Sequence, residues 1–196
     1  LRAIRRGLAH ATGSDALEGR TVGIVGLGKV GSALAAKLAA AGARVVACDL
    51  DAGRVERFVS EHGGEAAPSA EAVLTRELDV LAPCAAGGLI DDAFAQALRC
   101  KVVAGAANNP LTSREVAARL QRRGILFVPD FLANCGGLIH VAADWEGYDP
   151  ARVERCIQRA MERLDRALAA AADGASTPLE IAERQALERV EAARRK

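Results

Sequence analysis

Residues 21–32 read TVGIVGLGKVGS, an apolar run that passes into Gly26, Gly28 and Gly31 and then into helix-forming sequence. Val22, Ile24 and Val25 have the stiff, β-branched character of a parallel strand buried on both faces. The three glycines follow at GxGxxG spacing. In a strand–turn–helix unit that binds a dinucleotide, Gly26 permits the tight turn, Gly28 lets a pyrophosphate approach the backbone, and Gly31 lets helix and strand pack closely. The phosphates then sit on free N–H groups at the helix N-terminus.

The bare pattern is weak evidence in a glycine-containing chain, and its surroundings strengthen it. Lys29 to Ala41 reads as a helix with Val30, Leu34 and Leu38 on one face, ending at Gly42. A second strand, Arg44 to Cys48, follows at once and ends in Asp49. That acid lies 18 positions after Gly31, close to where a carboxylate accepts hydrogen bonds from the adenosine ribose hydroxyls.

The chain has 196 residues, enough for one large domain or two small ones with a sizeable core. Hydrophobic residues make up 51% of it with no apolar run of 18, which reads as a soluble globular protein with no membrane partner. Lys and Arg number 26 against 25 Asp and Glu, and aromatics are only 3%, a balance that argues against a nucleic-acid surface. Five cysteines (Cys48, Cys84, Cys100, Cys135, Cys156), odd in number and without CxxC spacing, fit reduced thiols in the cytoplasm and suggest no metal site. The chain opens on Leu1 with no signal peptide, and its single methionine is Met161. The expectation is a piece of a longer polypeptide, or a processed one.

Along the chain, residues 1–12 carry Leu1, Ile4 and Leu8 at helical spacing and are expected to pack against something upstream. Residues 53–62 form a short helix through Val55 and Val59. Strands are expected at Val80–Ala82, Lys101–Gly105 and Gly124–Val128, with helices near Asp91–Leu98 and Ser113–Gln121 between them. Successive strands end in loops rich in Gly, Ala and Asn on the edge that holds the GxGxxG turn. The fold expected is α/β, a Rossmann-like, doubly wound, mostly parallel sheet over residues 1–150. Two long helices follow in 151–196. Val153, Ile157, Met161, Leu164 and Leu168 line the first, and Thr177-Pro178-Leu179-Glu180 supplies a capping box for the second. They are expected to pack across the domain edge, towards the missing part of the chain.

Five blocks in this order, GLGKVG (26–31) with Asp49, LAPCAAGGLI (81–90), VVAGAANNP (102–110) and PDFLANCGGLIHVA (129–142), resemble the amino-acid dehydrogenases that include leucine, valine, phenylalanine and glutamate dehydrogenases. The likeness covers almost the whole chain and is closest to the leucine/valine/phenylalanine branch. It implies NAD-dependent, reversible oxidative deamination of an L-amino acid to a 2-oxo acid and ammonia, with hydride passing from the substrate Cα to the nicotinamide and water attacking the imine. It also implies an upstream substrate domain carrying the catalytic lysine and aspartate, so no catalytic residue is expected in this chain. The isolated chain should then bind NAD without turning over an amino acid, and the complete enzyme should be a homo-oligomer.

Carried over position by position, Gly26, Leu27, Gly28, Lys29, Val30 and Gly31 match the pyrophosphate turn, and Asp49 with Leu50 the ribose end. Cys84, Ala85, Ala86, Ala106 and Asn108 match contacts beside the nicotinamide. Asn134, Leu138 and Val141 match the substrate pocket. Cys135 departs from the family pattern, where alanine is usual, and reads as an inert small hydrophobe.

Two choices follow physically. Asp49 and Asp51 would face a 2′-phosphate, and one unit charge at ~4 Å costs on the order of 1 to 4 kcal/mol, so NAD is expected over NADP. Arg54 either offsets part of this charge or is a solvated helix charge. Apolar Leu138 and Val141 leave a glutamate carboxylate without a partner, at a cost of several kcal/mol, which favours valine or leucine; the bulk of Leu138 also disfavours phenylalanine. Trp145 and Tyr148 are expected to seat the long helices, and His140 to pack or meet solvent. The rival reading is a sensing module that binds NAD without chemistry, or a degenerate paralogue; the ANNP and ANCGG blocks favour the enzyme.

Overall fold

The computed structural model describes residues 1–195. One six-stranded sheet forms its middle layer: β1 (Thr21–Val25), β2 (Arg44–Cys48), β3 (Glu65–Ala66), β4 (Glu77–Pro83), β5 (Arg99–Val103) and β6 (Leu126–Phe127). Its order is β3-β2-β1-β4-β5-β6 and every pairing is parallel. The chain winds outward from β1 in one direction, then returns and winds outward in the other. The crevice therefore opens beside β1, where the order reverses.

Side chains alternate between the two faces of the strands, as the twofold period requires. Val22, Ile24, Val80, Ala82 and Val102 enter one core, and Val25, Leu81 and Val103 enter the other. Helices α2 (Lys29–Ala40) and α3 (Ala52–His62) cover part of the first face. Its remainder is covered by α1 (Arg2–Thr12), which lies directly on β5 and β6. A Cβ on Gly7 would stand 2.9 Å from side-chain carbons of both Val102 and Val128. The segment expected to pack against something upstream is therefore part of the sheet's own cover. Short α4 (Ala70–Leu74), α5 (Asp92–Ala97) and α6 (Arg114–Arg122) cover the second face.

After the sheet come α7 (Asp130–Ala133), α8 (Gly136–Trp145), α9 (Pro150–Ala170) and α10 (Pro178–Arg194). Helix α9 lays Met161, Leu164 and Leu168 into the core that holds Ile4 and Leu8 of α1. The capping box of α10 forms: Glu180 N–H donates to Thr177 Oγ1 at 3.1 Å, and Thr177 N–H donates to Glu180 Oε2 at 2.7 Å. Trp145 and Tyr148 do not seat these helices. Trp145 is 90% exposed at the end of α8, and Tyr148 stands edge-on to His140 with ring centroids 5.5 Å apart.

Asp79 ties the sheet together at the edge opposite the crevice. Its carboxylate accepts from Thr21 N–H at 3.0 Å, from Arg20 at 2.9 Å and from Lys101 Nζ at 2.8 Å, linking β1, β4 and β5. Burial opposes ionisation of this carboxyl, but Lys101, the Thr21 amide and Arg20 outweigh it and hold its pKa below the ordinary value. A group with a depressed folded pKa stabilises the fold above its unfolded pKa, about 3.9, and the contribution is lost as pH falls through the folded value. Asp79→Ala is expected to cost about 2 kcal/mol at pH 7, or roughly 4–8 °C in Tm, by stranding a backbone donor and two cations. Thermal melts of variant and parent should converge below about pH 4.

Candidate dinucleotide and substrate cleft

At the end of β1 the backbone turns through Gly26, whose φ is +102°. A Cβ there would lie 2.7 Å from Ala85 N and 2.8 Å from the Cys84 carbonyl carbon, so glycine is needed for both conformation and space. At Gly31 a Cβ would fall 2.0 Å from the Gly26 carbonyl oxygen and 3.2 Å from the Cys84 Cβ. Gly28 differs, because a Cβ there meets nothing within 4 Å. Its bareness faces open space. Ser32 N–H donates to the Gly28 carbonyl at 2.9 Å as the first closed turn of α2. The amides of Gly28, Lys29, Val30 and Gly31 precede it, which leaves donors for an anion.

Asp49, at the tip of β2, is only 10% exposed. Its Oδ2 accepts from Leu27 N–H at 2.6 Å and its Oδ1 from Asp51 N–H at 2.9 Å. Burial again opposes ionisation, and the Asp51 and Leu27 amides with the Arg54 guanidinium prevail, holding the carboxyl below its ordinary pKa. Arg54 pairs with Asp49 at 3.6 Å and Asp51 at 3.3 Å, so it offsets the acidic pair while remaining half-exposed. Asp51 also caps α3 by accepting from Gly53 N–H at 3.0 Å. Beside the turn, Gly28, Lys29, Arg54 and Arg57 line a groove of about 290 Å³.

The strand ends are tied to one another. Cys84 N–H donates to the Val25 carbonyl at 2.8 Å, and the amides of Ala106 and Ala107 donate to the Pro83 carbonyl at 2.8 and 2.9 Å. Asn134, which follows α7, donates from Nδ2 to Asn108 Oδ1 at 2.7 Å. Asp130 accepts from Asn109 N–H at 2.8 Å and holds that residue at φ +49°. Val30, Ala106 and Asn134 line a cavity of about 550 Å³ on the other side of the turn.

The structure thus gathers Gly26–Gly31, Asp49, Cys84–Ala86, Ala106, Asn108 and Asn134 along one sheet edge. Leu27 is buried at 1%, leaving its backbone to face the site, whereas Leu50 is fully exposed. Val30 departs from the helical pattern: it is 61% exposed and lines the cavity, while Leu34 and Leu38 are buried. It lies in the first turn of α2, beyond the strand surface that covers the other two. Leu138 and Val141 project from α8 at 75% and 67% exposure. Cys135 is half-buried with its thiol 3.3 Å from the Leu132 carbonyl, and burial pushes the thiols of Cys84 and Cys135 above their ordinary pKa, as suits unreactive groups. Of the two readings left open for Arg54, the structure shows the one in which it offsets the acidic charge. Sequence reading missed Asp130, whose partner Asn109 becomes its neighbour only through the fold. Among the described residues no cluster of His, Cys, Asp or Glu is placed to hold a metal, and no helix is long and apolar enough to cross a membrane.

Comparison with known proteins gives the arrangement a family. The chain is 34% identical over 195 residues to leucine dehydrogenase of Thermoactinomyces intermedius, covering 99% of this chain and 53% of that protein. It is 40% identical over 168 residues to valine dehydrogenase of Streptomyces virginiae, covering 85% and 46%. The crystal structure of L-tryptophan dehydrogenase from Nostoc punctiforme superimposes with a TM-score of 0.92 at 28% identity, covering 100% of this chain and 58% of that one. The chain spans about half the length of the curated relatives it matches. Residues 2–87 also match the D-isomer specific 2-hydroxyacid dehydrogenase, NAD binding domain. Residues 49–196 match the sequence model of the glutamate/leucine/phenylalanine/valine dehydrogenases, and the chain belongs to that family.

Proposed function

We propose that this chain is the NAD-binding half of an NAD-dependent L-amino-acid dehydrogenase that reversibly deaminates an apolar amino acid to a 2-oxo acid and ammonia. The observation that carries the reading is the meeting, at one sheet edge, of free helix amides at Gly28–Gly31, the Asp49 carboxylate at the next strand tip, and the Asn108–Asn134 pair. The amides and Asp49 are suited to the pyrophosphate and the adenosine ribose. NAD, when bound, supplies the hydride acceptor. Cys84–Ala86, Ala106 and Asn108 would border its nicotinamide end.

Residues 1–150 form the dinucleotide domain in this reading and 151–196 a helical extension. An upstream substrate domain with the catalytic lysine and aspartate would face the exposed side of α8. Leu138 and Val141 offer a side-chain carboxylate no counter-charge, which supports valine or leucine over glutamate. The volume of Leu138 supports them over phenylalanine. We place the enzyme in the cytoplasm as a homo-oligomer, consistent with its free thiols.

The test combines binding and turnover. The isolated chain is expected to bind NADH, seen as enhanced nicotinamide fluorescence, and to release no NADH when mixed with NAD and valine, leucine or phenylalanine. The polypeptide extended by its upstream coding sequence should turn over valine or leucine fastest. NADH binding by the chain with no turnover by the extended protein would favour a sensing module. Absence of NADH binding would overturn the proposal.

A further inference from the structure

A second cavity, of about 650 Å³, opens between α7, α9 and α10. Four arginines line it, Arg159, Arg163 and Arg166 on α9 and Arg189 on α10, against the single carboxylate of Glu188. The α9 set is spaced i, i+4, i+7, which stacks like charges on one helix face and destabilises an isolated helix. Other arginines of the same helix are satisfied: Arg152 pairs with Glu146, and Arg155 with Asp149 at 3.5 Å. Among the described residues, none of the four cavity arginines has a carboxylate within ion-pair distance. Burial and the neighbouring Arg189, Arg166 and Arg159 push the Arg163 pKa below its ordinary value.

Apart from Gln185, the remaining wall is apolar. Phe131, Leu132, Ile139 and Ala160 form it, and the volume lies in the range of small-molecule sites. Unpaired guanidiniums beside an apolar wall fit a molecule with a flat or aliphatic body and at least two negative charges. We propose that this cavity is a binding site for a small organic polyanion, separate from the dinucleotide groove. Its position gives such a ligand a route to the substrate wall. Leu132 and Cys135 line it, and Cys135 also lines the cavity that contains Val30 and Asn134. Occupancy would therefore bear on the α7–α8 junction that presents Asn134, Leu138 and Val141.

The experiment is calorimetric titration of the chain, first saturated with NADH so that the helix amides of the glycine turn are engaged. Three probes separate the sources of charge: 1-naphthyl phosphate, citrate and inorganic pyrophosphate, each against sodium chloride of matched ionic strength. The expected result is saturable 1:1 binding, tightest for 1-naphthyl phosphate because it also covers the apolar wall. Binding should weaken at least tenfold in the Arg163→Gln, Arg189→Gln double variant while NADH affinity stays within twofold, which also reports that the variant folds. Equal heats from the chloride control, or unchanged probe affinity in the double variant, would overturn the proposal. So would binding that vanishes in the extended polypeptide, since the arginines would then belong to a contact with acidic residues of its other domain.

Discussion

Gly28→Ala is expected to leave stability within about 0.5 kcal/mol and to weaken NADH binding at least tenfold, while Gly31→Ala should lower Tm by roughly 6–12 °C. Both substitutions add one methyl group to the same glycine turn. At Gly28 that methyl meets nothing within 4 Å, and the backbone, at φ −66° and ψ −169°, accepts any residue. Alanine is a poorer helix N-cap than glycine, and the reduced freedom of the unfolded chain offsets that loss. Open space at Gly28 is where a pyrophosphate would approach, so the methyl displaces the ligand and little else. A tenfold loss corresponds to about 1.4 kcal/mol.

At Gly31 the methyl would fall 2.0 Å from a backbone carbonyl oxygen, an atom with no rotamer to yield. Helix α2 must then lift from the end of β1, and overpacking of this kind costs about 3 kcal/mol. Thermal melts and NADH titrations of the two variants separate the ligand's glycine from the fold's glycine. Equal Tm losses in both would contradict this assignment.

The parts of the molecule legible in the sequence are those specified locally. The β1–α2–β2 unit and the capping box of α10 depend on residues within a few positions of one another, and they stand where spacing puts them. β3 and α4 left no such trace. Glu65 and Ala66 are exposed and are held to the sheet by backbone pairing with β2, and α4 is a single short turn capped by Ser69. Of the apolar stretch 124–128 only Leu126–Phe127 forms strand: the Gly124 and Ile125 amides turn back to α6, although Val128 N–H still donates to the Val103 carbonyl of β5. Side chains at long range are harder still. Arg20, Asp79 and Lys101 become one network only once three strands lie in order, and Trp145 is exposed although its large ring reads as one that seats the long helices.

For the candidate site, the glycines marked where the backbone is crowded, at Gly26 and Gly31, and where it faces open space, at Gly28. Nothing in the linear sequence indicated that Asp130 would hold Asn109. That contact arises from loops brought together by the sheet edge and so depends on the whole fold, whereas Arg54 lies three positions after Asp51 and its pairing was open to a local reading.

Asp49→Asn is expected to reduce discrimination between NADH and NADPH by about tenfold or more while keeping most of the stability that Asp49→Ala loses. An amide oxygen can still accept from the Leu27 N–H, which the carboxylate now does at 2.6 Å. Alanine cannot. It strands that amide and the Asp51 amide, at a cost of about 1–3 kcal/mol. Removing the negative charge acts on the ligand. A 2′-phosphate near Asp49 is repelled by on the order of 1 to 4 kcal/mol, and that term disappears in both variants.

Arg54 then becomes the deciding group. With Asp49 neutral it keeps only Asp51, at 3.3 Å, and its charge is available to a phosphate. Adding Arg54→Ala to Asp49→Asn should therefore weaken NADPH more than NADH. The pH dependence carries the same signature with a fixed sign. Because the folded pKa of Asp49 is depressed, its contribution is present above about pH 4 and is lost as pH falls through the folded value, so the stability gap between parent and Asp49→Ala should narrow in acid. If Asp49→Asn separates the two nucleotides as well as the parent does, the carboxylate charge is not what selects the cofactor, and the bridge to Arg54 has already cancelled it in the native protein.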